Sequence, residues 1–210
     1  MGSGHSDTSS IAFFRYPGDF GYKNPYSLAG GTPITFNLSQ PGVVPDRQDA
    51  PHPHHVVVDP AGGFLVIPDL GADLLRFYYY LEQSGSTVTR IDPVGSVAAV
   101  PGSGPRHGVF FRPEPRRSVW EGGIQYLYTL NELSNTITGY RVSYVNKFPT
   151  PLPNVTRIFD ISMHGLRGSV PKGTKAAEIQ LSVRRLRFPF FQDKTGFNYL
   201  MVYKRSDSQY

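Results

Sequence analysis

The segment Pro51–Tyr80, PHPHHVVVDPAGGFLVIPDLGADLLRFYYY, constrains this chain more than any other because its pattern returns. It sets three histidines within four positions, then a β-branched run, a turn, a second apolar run and a third run rich in aromatics. About fifty residues later Pro105-Arg106-His107-Gly108-Val109-Phe110-Phe111 answers Pro53-His54-His55-Val56-Val57-Val58, and Leu130-Asn131-Glu132-Leu133 answers Pro68-Asp69-Leu70. A weaker echo follows at Ala177-Glu178-Ile179-Gln180-Leu181-Ser182. Self-similarity at such a period means that one supersecondary unit is repeated and stacked, since a single unit cannot bury its own apolar face.

A polar residue that opens a strand, followed by a turn and further strands, is the sequence form of a propeller blade. The first unit is expected to comprise strands at Val56–Asp59, Phe64–Pro68, Leu74–Leu81 and Ser86–Ile91. The continuous apolar run Phe64–Pro68 implies burial on both faces. The second unit is expected at Gly108–Arg112, Ile124–Leu130, Ile137–Val145 and Val155–Ile161, and a third opens at Lys175 with a strand to Ser182. Ahead of these, Ile11–Tyr16 and Thr32–Leu38 read as strands, separated by a Gly/Pro-rich loop over Pro17–Gly31. After Ser182 the blade pattern stops, although Asn198–Tyr203 still reads as a strand. The expected organisation is an N-terminal extension and partial blade over 1–31, propeller blades over 32–182 and a divergent C-terminal tail over 183–210.

Composition supports an all-β reading. The 22 Gly and 19 Pro punctuate the 210 residues too often for long helices. Cysteine is absent, which removes disulfides, thiolate catalysis and Cys-based metal sites together and fits a reducing, cytoplasmic setting. No apolar run is long enough for a membrane helix, and the first residues, MGSGHSDTSS, lack the apolar core of a signal peptide. The net charge of +5 is concentrated near the C-terminus, but no nucleic-acid recognition motif accompanies it, so no nucleic-acid partner is expected. The arginines suit a small anionic substrate instead.

In a propeller, strand starts and inter-strand loops converge on the central channel. His54, Arg106, His107, Glu132 and Glu178 all come from such places. Adjacent residues of an extended chain point to opposite faces, so the HPHH cluster is poorly arranged for a metal, and none is expected there. Asp69, Asp73 and Asn131 read as turn formers.

The strings DAPHPHHVVVDPAGGFLVIPDLGAD, GSGPRH, LNELSNT and AAEIQLS occur in an order that resembles the seven-bladed β-propeller lactonase family. That family includes 6-phosphogluconolactonase-like hydrolases and fungal carboxy-cis,cis-muconate cycloisomerases. The resemblance covers Ser27–Ser182. It implies an incomplete propeller of four-stranded antiparallel blades, about three to four of the seven. By motif it also implies His54, Arg106 and Glu132 as catalytic residues, with His52, His107 and Glu178 binding substrate. The substrate would be a small anionic lactone or carboxylate, processed without a cofactor. The alternative is an inactive propeller fragment that serves as an interaction module. Open end blades, with apolar rows such as Phe64, Val66, Tyr126 and Tyr128, would then favour self-association.

Overall fold

The structure, a computed structural model, describes residues 9–15, 27–60, 64–82, 89–113, 124–144, 153–165, 173–181, 189–193 and 198–200. These residues form strands and turns with no helix among them. Strands β1 (Ser9–Arg15) and β2 (Ser27–Phe36) make a two-stranded sheet. Next comes a four-stranded antiparallel sheet of β3 (Val57–Val58), β4 (Phe64–Asp69), β5 (Leu74–Glu82) and β6 (Thr89–Ala98) in chain order. A second four-stranded sheet repeats that order with β7 (Pro105–Phe111), β8 (Gln125–Asn131), β9 (Thr136–Ser143) and β10 (Asn154–Ser162). A three-stranded sheet of β11 (Ala176–Leu181), β12 (Pro189–Asp193) and β13 (Asn198–Leu200) follows. The first strands of these three successive sheets lie side by side, with β7 next to both β3 and β11. The fold is therefore a β-propeller type of array, with its repeats where the sequence places them.

Apolar residues lie between sheets. Phe36 of the first sheet packs with Leu65, Ile67 and Tyr78 of the second. Val57, Val66, Leu75 and Phe77 meet Leu127, Tyr140 and Val142 of the next. Leu130 and Ile137 in turn meet Met163, Ala176 and Ile179. Every residue of β4 is buried because each of its faces serves one of these cores. The edge strand β10 is mostly exposed, as an outer strand must be. A buried polar tie crosses the middle core. Gln125 Nε2 donates to Asp59 Oδ1 at 2.7 Å and the Tyr144 hydroxyl donates to Asp59 Oδ2 at 2.6 Å. Burial and then the Asp59 charge push the Tyr144 phenol far above its ordinary range.

Several expectations need correction. The outer strand expected at Ser86–Ile91 is Thr89–Ala98, and 83–88 lie outside the described residues. Pro93 and Gly95 lie within β6, which is an edge strand with a bulge at this point, and an edge tolerates both. Strand β2 likewise starts at Ser27 inside the expected loop. Its Gly-Gly-Thr-Pro is a bulge opposite Ile11–Phe13 and not a turn. The pattern also does not stop after Ser182, because β12 pairs with β11 and β13 with β12. Phe64 and Val66 are not on an open face. Val66 lies in the middle core, and Phe64 stacks between Tyr79 and Tyr144. Tyr126 and Tyr128 are half-buried, and Tyr128 packs towards the last sheet.

Candidate active site

The turns that join the second and third strands of the two full sheets build the site. Asp69–Asp73 and Asn131–Asn135 have the same form and end on a residue with positive φ, 50° at Asp73 and 53° at Asn135. Asp and Asn tolerate this left-handed conformation because their short polar side chains bond locally. Asp73 accepts hydrogen bonds from the backbone N–H of Gly102 (2.6 Å) and Gly104 (2.8 Å). One turn later, Asn135 Nδ2 donates to the Thr174 carbonyl at 3.1 Å. Each turn thus clamps the segment that leads into the next sheet's first strand. Gly104 has a φ of 62°, and a Cβ there would come within 2.5 Å of Leu133. Glycine is therefore needed just ahead of Arg106.

At the second position of the turn the repeat changes from an apolar to a charged residue. Leu70 in the first turn and Glu132 in the second occupy equivalent places, and both are fully buried. Leu70 needs only an apolar surround. Glu132 needs compensation for its charge, and two arginines supply it. Arg106 Nη1 lies 2.5 Å from Oε2 and Arg47 Nη2 lies 2.7 Å from Oε1. Arg106 Nε also donates to the Ala177 carbonyl at 3.0 Å, so it bridges the second four-stranded sheet and the three-stranded sheet that follows. His54 Nδ1 faces Arg106 Nη1 at 3.4 Å. A guanidinium only donates, so Nδ1 is the acceptor and the proton of the neutral ring is on Nε2. Partial loss of water around the ring, then the Arg106 charge, pull the His54 pKa down to about 4. His54 is therefore neutral near pH 7, and its residue remains exposed to solvent. Two guanidiniums against one carboxylate leave the cluster with one net positive charge.

The structure thus brings His54, Arg106 and Glu132 together. His107 and Glu178 form a neighbouring pair, with Nδ1 to Oε2 at 2.9 Å. The His107 ring lies 4.8 Å from that of His55, which accepts a hydrogen bond from the Gly108 N–H. Burial and the nearby His107 lower the His55 pKa. His52 turns the other way. Its ring reaches Asp49 Oδ1 at 3.0 Å, while its backbone N–H donates to Asp69 Oδ1. Asp69 is the turn former expected, and it also pairs with Arg76 at 2.8 Å. Among the described residues, no three His, Asp or Glu side chains converge to hold a metal ion.

Sequence reading missed Arg47. It lies outside the repeat, in the loop ahead of the histidines, and only the string DRQDAPHPH hinted at it. The loop is pinned by Gln48, which is fully buried. Its Oε1 accepts from Val44 N–H at 3.0 Å and its Nε2 donates to the Leu70 carbonyl at 2.8 Å. Gly71 lets this loop approach, since a Cβ there would fall 1.7 Å from the Ala50 carbonyl oxygen.

Comparison with known proteins follows the same lines. The family described as "Lactonase, 7-bladed beta-propeller" matches residues 20–208, so the match runs through the C-terminal stretch as well as the motifs. Over 109 residues the chain is 40% identical to a protein of Arthroderma benhamiae named "Probable 6-phosphogluconolactonase", covering 52% of this chain and 25% of that protein. Over 105 residues it is 28% identical to the 6-phosphogluconolactonase of Formosa agariphila, covering 50% of this chain and 27% of that protein. Two solved structures share the fold. The periplasmic gluconolactonase of Pseudomonas aeruginosa has a TM-score of 0.59 at 21% identity, over 95% of this chain and 51% of its own. A protein of Lactobacillus plantarum has a TM-score of 0.61 at 20% identity, over 91% of this chain and 50% of its own. The chain therefore spans about half of these structures. Among the described residues no helix is long and apolar enough to cross a membrane. With its repeated four-stranded sheets and its match over nearly the whole length, the chain belongs to the seven-bladed β-propeller lactonase family.

Proposed function

We propose that the cluster His54, Arg106 and Glu132 hydrolyses a small anionic lactone of the 6-phosphogluconolactone kind. The observation that carries this reading is the junction of a neutral histidine, a buried carboxylate and a guanidinium at the ends of neighbouring units. The names of the curated relatives favour hydrolysis over carboxymuconate cyclisation.

In this scheme a water replaces Arg106 Nη1 at His54 Nδ1, the ring nitrogen that carries no proton, and attacks the lactone carbonyl carbon while Nδ1 takes its proton. The carbonyl oxygen gains negative charge, and the Arg106 guanidinium stabilises it. When the tetrahedral centre collapses, the ring C–O bond breaks and the departing alkoxide takes the proton back from His54. The product is the open hydroxy acid. Glu132 does not need to transfer a proton, since both its oxygens hold arginines. Its role is to fix Arg106 and to balance a guanidinium that would otherwise be buried unpaired. His107, next to Arg106 in β7, and Glu178 of the neighbouring β11 are assigned to the substrate's far side.

The test is turnover of 6-phosphogluconolactone by the purified chain, followed as acid release. Arg106→Ala is expected to reduce kcat/KM by about 100-fold or more, in line with loss of one oxyanion donor. A folded preparation that opens no lactone would leave the interaction-module reading in its place.

A further inference from the structure

We propose that Arg47 is a specificity-determining residue that exchanges its contact with Glu132 for the phosphate of an incoming lactone. This rests on reading the cluster as a lactone site. The two arginines on Glu132 are not equivalent. The Arg106 side chain is 18% exposed and is held from two directions, by Glu132 and by the Ala177 carbonyl. The Arg47 side chain is 37% exposed, and its contact to the carboxylate is through Nη2 at 2.7 Å. The backbone beneath it is fixed by buried Gln48, so the guanidinium can turn without the loop moving.

Arg47 is the more exposed of the two arginines, so it gives up Glu132 at less cost than Arg106 would, and a ligand phosphate offers it another anionic partner. The guanidinium fork matches phosphate as well as carboxylate, and binds either in bidentate fashion. Glu132 would still be paired with Arg106 after the exchange. The net positive charge of the cluster is what a ligand phosphate would neutralise. Arg106 is then left to the reacting carbonyl, and Arg47 reads whether the sugar acid carries a charged group.

The experiment compares the chain with Arg47→Gln and with Arg47→Lys, each checked for an unchanged melting curve. Inorganic phosphate binding is measured by calorimetry, and KM is measured for 6-phosphogluconolactone and for uncharged gluconolactone. Arg47→Gln is expected to weaken phosphate binding at least about tenfold. It should also raise KM for the phosphorylated lactone at least about tenfold more than for the uncharged one. Arg47→Lys keeps the charge but loses the fork, and should lie between. Equal phosphate binding by the chain and Arg47→Gln, an equal effect on both lactones, or no phosphate binding at all would overturn the assignment. Arg47-dependent phosphate binding with turnover of neither lactone would keep the anion site and discard the lactonase reading.

Discussion

Glu132 shows most clearly why a repeat is informative where it fails. Its counterpart Leu70 holds the first turn in place with no polar atom, so the turn itself does not require a carboxylate. Replacing Glu132 by Ala strands two guanidiniums around a cavity and is expected to destabilise the chain by about 3 kcal/mol, read as a lowered denaturation midpoint. Glu132→Gln keeps the shape, should cost less stability, and should still lose most activity because Arg106 is no longer held. His54 gives a second prediction. The neutral ring is the proposed base, and its pKa is depressed to about 4. Activity should therefore persist well below pH 6 and fall as pH drops through about 4. An activity loss centred at the ordinary histidine value of 6.5 would contradict that assignment. The same depression acts on folding. The unfolded chain binds protons at His54 and His55 more readily than the folded one, so stability should decline as pH falls from about 6.5 towards 4. That His54, Arg106 and Glu132 lie together was legible because each stands at a fixed place in a repeat. Arg47 was not, because loop residues carry no periodic signal and its contact with Glu132 spans 85 residues.

At the scale of strands and turns, apolar runs were legible and edges were not. Phe64–Asp69 lies close to its expected bounds because two cores demand its continuous hydrophobicity. In β2 the Gly-Gly pair reads as loop, and β6 runs beyond its expected end through Pro93 and Gly95, yet both strands have only one hydrogen-bonded neighbour and bulge at those residues. Burial on both faces gives a strand a strong signature, whereas an edge strand owes its conformation to its one partner. The loop over 37–50 depends on such tertiary placement throughout. Gly71→Ala should push that loop away, since its Cβ and the Ala50 carbonyl cannot share the space. The expected outcome is a drop in stability together with weaker phosphate binding, because Arg47 travels with the loop. Phosphate affinity unchanged in a folded Gly71→Ala protein would show that the loop can shift without carrying Arg47 with it.

For the whole molecule, the blade-to-blade cores govern behaviour. The three apolar clusters each join two consecutive sheets, so the sheets stabilise one another in series. Leu127 is fully buried in the middle cluster. Truncation to Ala should cost about 2–5 kcal/mol and should loosen the sheets on both sides of it. In a closed ring each sheet has a neighbour on either side. Among the described residues, apolar clusters join the first and last sheets to one neighbouring sheet each. The 210-residue chain should therefore self-associate when expressed alone, with terminal sheets taking the place of absent neighbours. Sedimentation over a range of concentrations tests this, with mass expected to rise with concentration. Self-association through terminal sheets should survive Glu132→Gln, because that substitution alters the channel end and not the sheet faces. A concentration-independent monomer that melts in one cooperative transition would show that the end sheets are already covered by the chain's own residues.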